Sequence, residues 1–153
     1  MRLIESSPAG PAASALLDDY FAERAAGFAG EYRVVRPDPA AFLPPGVFLL
    51  AEDDGGAPLG CGGLRPLPGD ERGGRMEVKH LYVAPAARGA GVGRLLLEAL
   101  VRHADAAGAA TAVLDTNRSL AAAGGLYRAT GFTPVPPYND NPNATDWYAL
   151  RLR

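Results

Sequence analysis

Lysine, cysteine and tryptophan each occur once in this 153-residue chain. With Cys61 alone no internal disulfide can form, and a structural zinc site lacks its thiolates. The setting of that cysteine, LGCGGL, reads as a buried strand in which a thiol acts as a small hydrophobe rather than a reactive group. No apolar run approaches the roughly 18 residues of a membrane span, and the first ten residues, MRLIESSPAG, lack a signal-peptide core. The expectation is therefore no membrane association and a reducing cytoplasm. A net charge of −2 provides no electrostatic footprint for nucleic acid or an anionic bilayer. His80 is expected to face away from Glu77 on its strand and His103 to sit on a helix face, so both read as structural and nothing suggests a metal cluster.

What is present is ordinary globular composition, 48% apolar and 21% charged. The length suits one domain, residues 1–153, with one substantial core. Met1 to Ser6 is a weak first strand. Pro8 to Ala29 has helical spacing at Leu17, Tyr20, Phe21, Ala25 and Phe28. Arg36 to Gly46 is broken by four prolines and reads as loop. Gly46–Asp53 and Ala57–Leu67 read as strands joined by an Asp-Asp-Gly-Gly turn, and Pro68 to Gly74 as a second turn before the strand Arg75–Val83. A helix from about Gly91 to Ala107 carries Val92, Leu96, Ala99, Leu100 and His103 on one face. Ala110–Thr116 is a short buried strand. A helix from Ser119 to Thr130 ends at Gly131, a C-terminal cap. Phe132–Val135 and Trp147–Leu152 are the last strands. This order predicts a three-layer α/β domain.

The most informative segment is LYVAPAARGAGVGRLLL. A strand and a proline turn lead into Arg88-Gly89-Ala90-Gly91-Val92-Gly93-Arg94 and then a helix. Glycines admit close backbone approach, and the first amides of a helix have no helical partner, so this loop suits phosphate. A Walker loop requires Lys-Ser/Thr after the last glycine, where Arg94-Leu95 stands. A Rossmann fingerprint requires glycine at position 94 or 96, which are Arg94 and Leu96, and a turn directly at the strand end.

The remaining pattern, Arg-x-x-Gly-x-Gly after strand-x-Pro, resembles the acyl-CoA pyrophosphate loop of the GNAT superfamily of N-acetyltransferases. Leu126-Tyr127-Arg128-Ala129-Thr130-Gly131-Phe132 is similar to that family's Leu-Tyr-x-x-x-Gly-Phe. The likeness spans about Gly46 to Phe132 and, loosely, the first helix. It implies a single GNAT-like domain with a mixed sheet of six to seven strands and helices on both faces. It also implies acetyl-CoA as acetyl donor. The amides of Arg88 to Arg94 would hold its pyrophosphate, with the charges of Arg88 and Arg94 added. Leu81, Tyr82 and Val83 would line the pantetheine arm in a gap between strands.

Transfer from a thioester to an amine needs a route for the amine proton, an oxyanion donor and a proton for the thiolate. Glu77 is the candidate base, because strand alternation sets Glu77, Lys79, Leu81 and Val83 on one face and turns His80 away. The alternative is a carboxylate paired with Lys79 or an arginine. By resemblance Tyr127 is the thiolate's proton donor, or else an aromatic packing its helix on the sheet. Where many relatives carry a cofactor-touching Asn, this chain has Leu120; Asn117 or Ser119 takes that place or caps the helix. The tail PPYNDNPNATDWY places Tyr138, Asn139, Asp140 and Asn141 to orient an amine, unless those side chains satisfy their own backbone. The acceptor is expected to be a small primary amine; a protein N-terminus or lysine, a homodimeric assembly, and a module that senses acyl-CoA without turnover stay open.

Overall fold

The computed structural model describes residues 1–70 and 74–153. Its elements follow the expected order: β1 (Arg2–Glu5), α1 (Pro11–Ala26), β2 (Val47–Glu52), β3 (Pro58–Pro66), β4 (Arg75–Val83), α2 (Val92–Ala106), β5 (Thr111–Thr116), α3 (Ala121–Ala129), β6 (Thr133–Val135) and β7 (Asp146–Arg151). The proline-rich loop also holds a short 3-10 turn, Pro39–Phe42, started by Asp38, whose carboxylate accepts from the Ala40 amide at 3.0 Å. The expected turn from Pro68 to Gly74 lies partly outside the described residues.

The seven strands form one mixed sheet in the order β1-β2-β3-β4-β5-β7-β6, with β4 and β5 its parallel neighbours. Phe48 and Leu50 of β2 join Leu16, Leu17 and Phe21 of α1 on one face. Val47, Leu49 and Ala51 join Leu96, Leu97 and Leu100 of α2 on the other. Two covered faces explain why β2 reads VFLLAE without polar alternation. The α2 stripe of Val92, Leu96, Ala99 and Leu100 is buried as its spacing predicts, with His103 half-buried at its edge.

On α1 the buried stripe is Ala13, Leu16, Leu17, Phe21 and Arg24. Ala25 is exposed, and Phe28 lies beyond the helix. The inward face is thus rotated by one position, and it carries an arginine.

Two linked features open the middle of the sheet. β4 and β5 pair only from Arg75–Thr111 to Glu77–Val113, after which residues 78–83 pair with β3 alone. On the β3 side the register shifts between Cys61 and Gly63, leaving His80 and Leu81 opposite Gly62. His80 takes a left-handed φ of +58°, as an extra bulge residue does. A bulge bends its strand and raises its twist, which carries β4 away from β5. The glycines opposite leave no choice of residue: a Cβ at Gly63 would stand 2.4 Å from the Phe42 ring.

The bulge also corrects the alternation argument, because one inserted residue flips every side chain beyond it. Lys79 stays with Glu77 on the α1 face, but Leu81 and Val83 turn to the α2 side, where they join its core. His80 does not point away from Glu77's face; its ring packs among Tyr20, Phe21 and Phe42.

Candidate active site

The strand gap has a cavity on each side, and the two meet. The first encloses about 520 Å³ between β4, α2 and α3. Its mouth is the glycine loop. Gly89 and Gly91 have φ of +85° and +84°, and a Cβ at either would meet no protein atom within 4 Å. These glycines are thus demanded by backbone conformation, and the space before them is open. Gly93 has another role: a Cβ there would lie 3.3 Å from Leu126 and 3.4 Å from Val83, so it lets α2 close on the sheet. Gly91 is the N-cap of α2, whose first amides point out of the helix as anion donors.

Arg88, Gly89, Gly91, Val92, Gly93 and Arg94 line this cavity; Ala90 does not. Neither arginine is a free charge. Arg88 donates to both oxygens of Glu23 at 2.8 Å and to the Val83 carbonyl at 3.1 Å, tying the loop to α1 and β4. Arg94 pairs with Glu98 one turn on, at 2.8 Å. With both arginines paired, the backbone amides at the start of α2 are the donors this loop leaves free for a ligand. The rest of the wall is mostly apolar, with Leu81, Val83, Ala122 and Leu126 beside Tyr82. A polar mouth with an apolar channel behind it fits a phosphate-headed, thiol-ended cofactor.

Tyr20, Arg24, Leu81, Leu120, Ala123 and Tyr127 border both cavities. Tyr127 is buried against Phe132 and Tyr148, and burial raises its phenol above the ordinary tyrosine value. It is therefore protonated near neutrality, and its hydroxyl has no hydrogen-bond partner among the described residues.

The second cavity, about 460 Å³, lies on the α1 side under the segment from Tyr32 to Asp38 and the loop from Asn139 to Ala144. Asn139 and Asn141 line it as expected, with Asp140; Tyr138 does not. Asp115 at the end of β5 pairs with Lys79 at 3.3 Å and accepts from the Asn139 amide at 2.8 Å. Burial pushes the Asp115 carboxyl up, but Lys79, Asn139 and Asn141 together bring it below the usual range. Burial, aided by Lys79 and Arg65, drives His80 down to about 3, so its imidazole is neutral. Cys61 is sealed, its thiol donating to the His80 carbonyl at 3.6 Å and pushed up to about 12 by burial.

Glu77 borders neither cavity. It is fully buried; Oε1 accepts from Arg65 at 2.8 and 3.0 Å, and Oε2 accepts from the Tyr138 hydroxyl at 2.7 Å. Arginine pairing, the alternative to a base, is the arrangement found. Asn117 also borders neither cavity. Its side chain accepts from the Ser119 amide and donates to the Asn143 carbonyl, holding the β5–α3 turn to the tail, while Ser119 and Leu120 line the first cavity. The residue the sequence reading passes over is Arg24. Its signal is present all the same, three residues after Phe21 and seven after Leu17.

A mixed sheet split between two parallel strands, with a glycine-started helix at the split, is the acetyltransferase fold. An acetyltransferase of GNAT family from Staphylococcus aureus matches 99% of this chain and 99% of its own, with a TM-score of 0.80 at 18% identity. The chain belongs to the Acetyltransferase (GNAT) family, whose model matches residues 13–132. Among curated relatives, an uncharacterised N-acetyltransferase of Schizosaccharomyces pombe is 38% identical over 65% of this chain and 59% of its own length. A protein of Azospirillum brasilense named an IAA acetyltransferase is 38% identical over 64% of each. The chain thus spans about 60% of the length of these two relatives.

Proposed function

We propose that this protein is an acetyl-CoA-dependent N-acetyltransferase that moves an acetyl group to a small primary amine by direct transfer in a ternary complex. The observation that carries this reading is the meeting of two cavities at Tyr127, one opening at a phosphate-type glycine loop and the other lined by polar side chains. Acetyl-CoA supplies the thioester-activated acetyl group. The amides of Gly91 to Arg94 and the loop from Arg88 hold its pyrophosphate, and the free edge of β4 at Leu81, Tyr82 and Val83 takes the pantetheine arm.

The amine enters from the α1 side. As its nitrogen bonds to the acetyl carbon, a β4 amide at the gap stabilises the oxyanion, as preorganised donors do. The C–S bond then breaks, Tyr127 gives its proton to the leaving sulfur, and the phenol is reprotonated from solvent. The proton lost by the amine passes to water through the cavity, whose rim residues Arg33, Val35 and Arg36 are exposed. Two groups facing the cavity are not poised to take that proton near neutrality, since Asp115 is held below the usual range and His80 lies near 3. Glu77 positions Arg65 and Tyr138 rather than touching substrate.

Acetyl-CoA presented with a panel of amines tests this reading. Thiol release dependent on an amine, with the acetylated product seen by mass spectrometry, is the expected result. Binding of CoA without any amine-dependent release would make the protein a sensing module and overturn it.

A further inference from the structure

Charge is distributed unevenly in this protein. The chain is net negative, yet the second cavity is lined by five cationic side chains and three carboxylates. Most of these cations are neutralised in place: Arg65 by Glu77, Lys79 by Asp115 and Arg36 by Asp18. Arg24 is not. Among the described residues no carboxylate lies within ion-pair distance of it, and it is 9% exposed. Its sequence neighbour Glu23 is taken up by Arg88 and Tyr82. The Arg24 guanidinium donates to the Tyr20 hydroxyl at 3.3 Å and the Asn143 carbonyl at 3.0 Å, and lies over the rings of Tyr20 and Tyr32 at 5.9 and 5.4 Å. Two neutral acceptors leave donors of its five-proton fork unused. A mostly buried cation without a countercharge is unfavourable, so a ligand's anionic group would be favoured against it.

Arg24 borders both cavities, as Tyr127 does, so an anion held there stands where the two cavities meet. We propose, resting on the acetyltransferase reading, that the acceptor is a small amino acid whose free carboxylate docks on Arg24. A planar fork matches a carboxylate, and one unpaired buried guanidinium matches a monoanion. Tyr20, Phe21 and Tyr32 line the same cavity and suit the acceptor's apolar portion.

The test offers acetyl-CoA with a pool of free amino acids and, separately, a pool of their carboxamides. Products are read by mass spectrometry for the wild type, Arg24→Gln and Arg24→Lys. The expected result is that the wild type acetylates acids at least about 10-fold faster than carboxamides, since a site built for a polar group rejects the analogue lacking it. Arg24→Gln loses that preference and Arg24→Lys keeps part of it. Equal rates on acids and carboxamides in the wild type, or a preference kept by Arg24→Gln, overturns the proposal.

A second readout is thermal melting with CoA alone and then with CoA plus the amino acid pool. Added amino acids should raise the melting temperature of the wild type but not of Arg24→Gln, whose cooperative melt and wild-type far-UV circular dichroism show that the variant is folded. If CoA shifts the wild type and carboxylate-free amines are acetylated while amino acids are not, this proposal alone fails. If CoA produces no shift and neither pool releases thiol, the acetyltransferase reading fails with it.

Discussion

Tyr138 donates its hydroxyl to Oε2 of Glu77 at 2.7 Å, closing the one side of that carboxylate that Arg65 leaves free. A carboxylate so enclosed holds structure together. Glu77→Gln should lower stability by about 2–3 kcal/mol, because the charge-assisted hydrogen bonds to the partly exposed Arg65 are lost. For a domain of this size that is a melting temperature lower by roughly 5–10 °C. The kcat at permissive temperature should stay within about threefold of wild type, against the roughly 100-fold or greater loss expected of a general base. Calorimetric melting and steady-state rates on one preparation check both numbers. An unchanged melting temperature with abolished turnover would return Glu77 to the role of base.

The glycine loop offers a second test. Gly91 has φ +84° and faces open space, so Gly91→Glu adds both strain, about 1–2 kcal/mol for a residue with a Cβ, and a negative charge at the anion site. Affinity for CoA should fall at least about 100-fold, a loss of roughly 3 kcal/mol in binding. Titration calorimetry on the folded variant measures it, and normal binding would remove the loop from the cofactor site.

Much of this was readable in the chain because it is local. Element order follows from periodicity and turn residues, and the glycine turn that starts α2 from its own few residues. What was not readable depends on partners distant in sequence. The bulge at His80 exists because Gly62 and Gly63 face β4 across the sheet, and it alone moves Leu81 and Val83 to the other side. Glu77 is closed off by Tyr138, sixty-one residues away. Arg24 was passed over because an arginine at an inward helical position is usually placed outside by default.

His80 makes stability depend on pH. Its folded value of about 3 lies below the ordinary 6.5, so between these the unfolded chain binds the proton and the folded protein does not. That contribution to stability is complete above about pH 6.5 and is lost as pH falls toward 3, at about 1.4 kcal/mol for each pH unit. His80→Asn keeps a residue tolerant of left-handed backbone and removes the titration. Unfolding free energies from urea titrations near pH 7 and pH 5 should differ less in the variant, by about 2 kcal/mol. An identical pH dependence in the two proteins would contradict the burial argument.

Gly125 sits in α3, exposed, with no protein atom within 4 Å of where a Cβ would lie. Gly125→Ala should therefore stabilise the protein by about 1 kcal/mol, raising the melting temperature by roughly 2–4 °C. A lower melting temperature in thermal denaturation would show that the space is needed.

Tyr127 is buried and borders both cavities. The measurement that addresses its role most directly is kcat for Tyr127→Phe beside its CoA affinity. Loss of the phenolic proton should lower kcat about 100-fold, with the dissociation constant for CoA nearly unchanged. Turnover equal to wild type would contradict the assignment of Tyr127 as proton donor to the leaving thiolate.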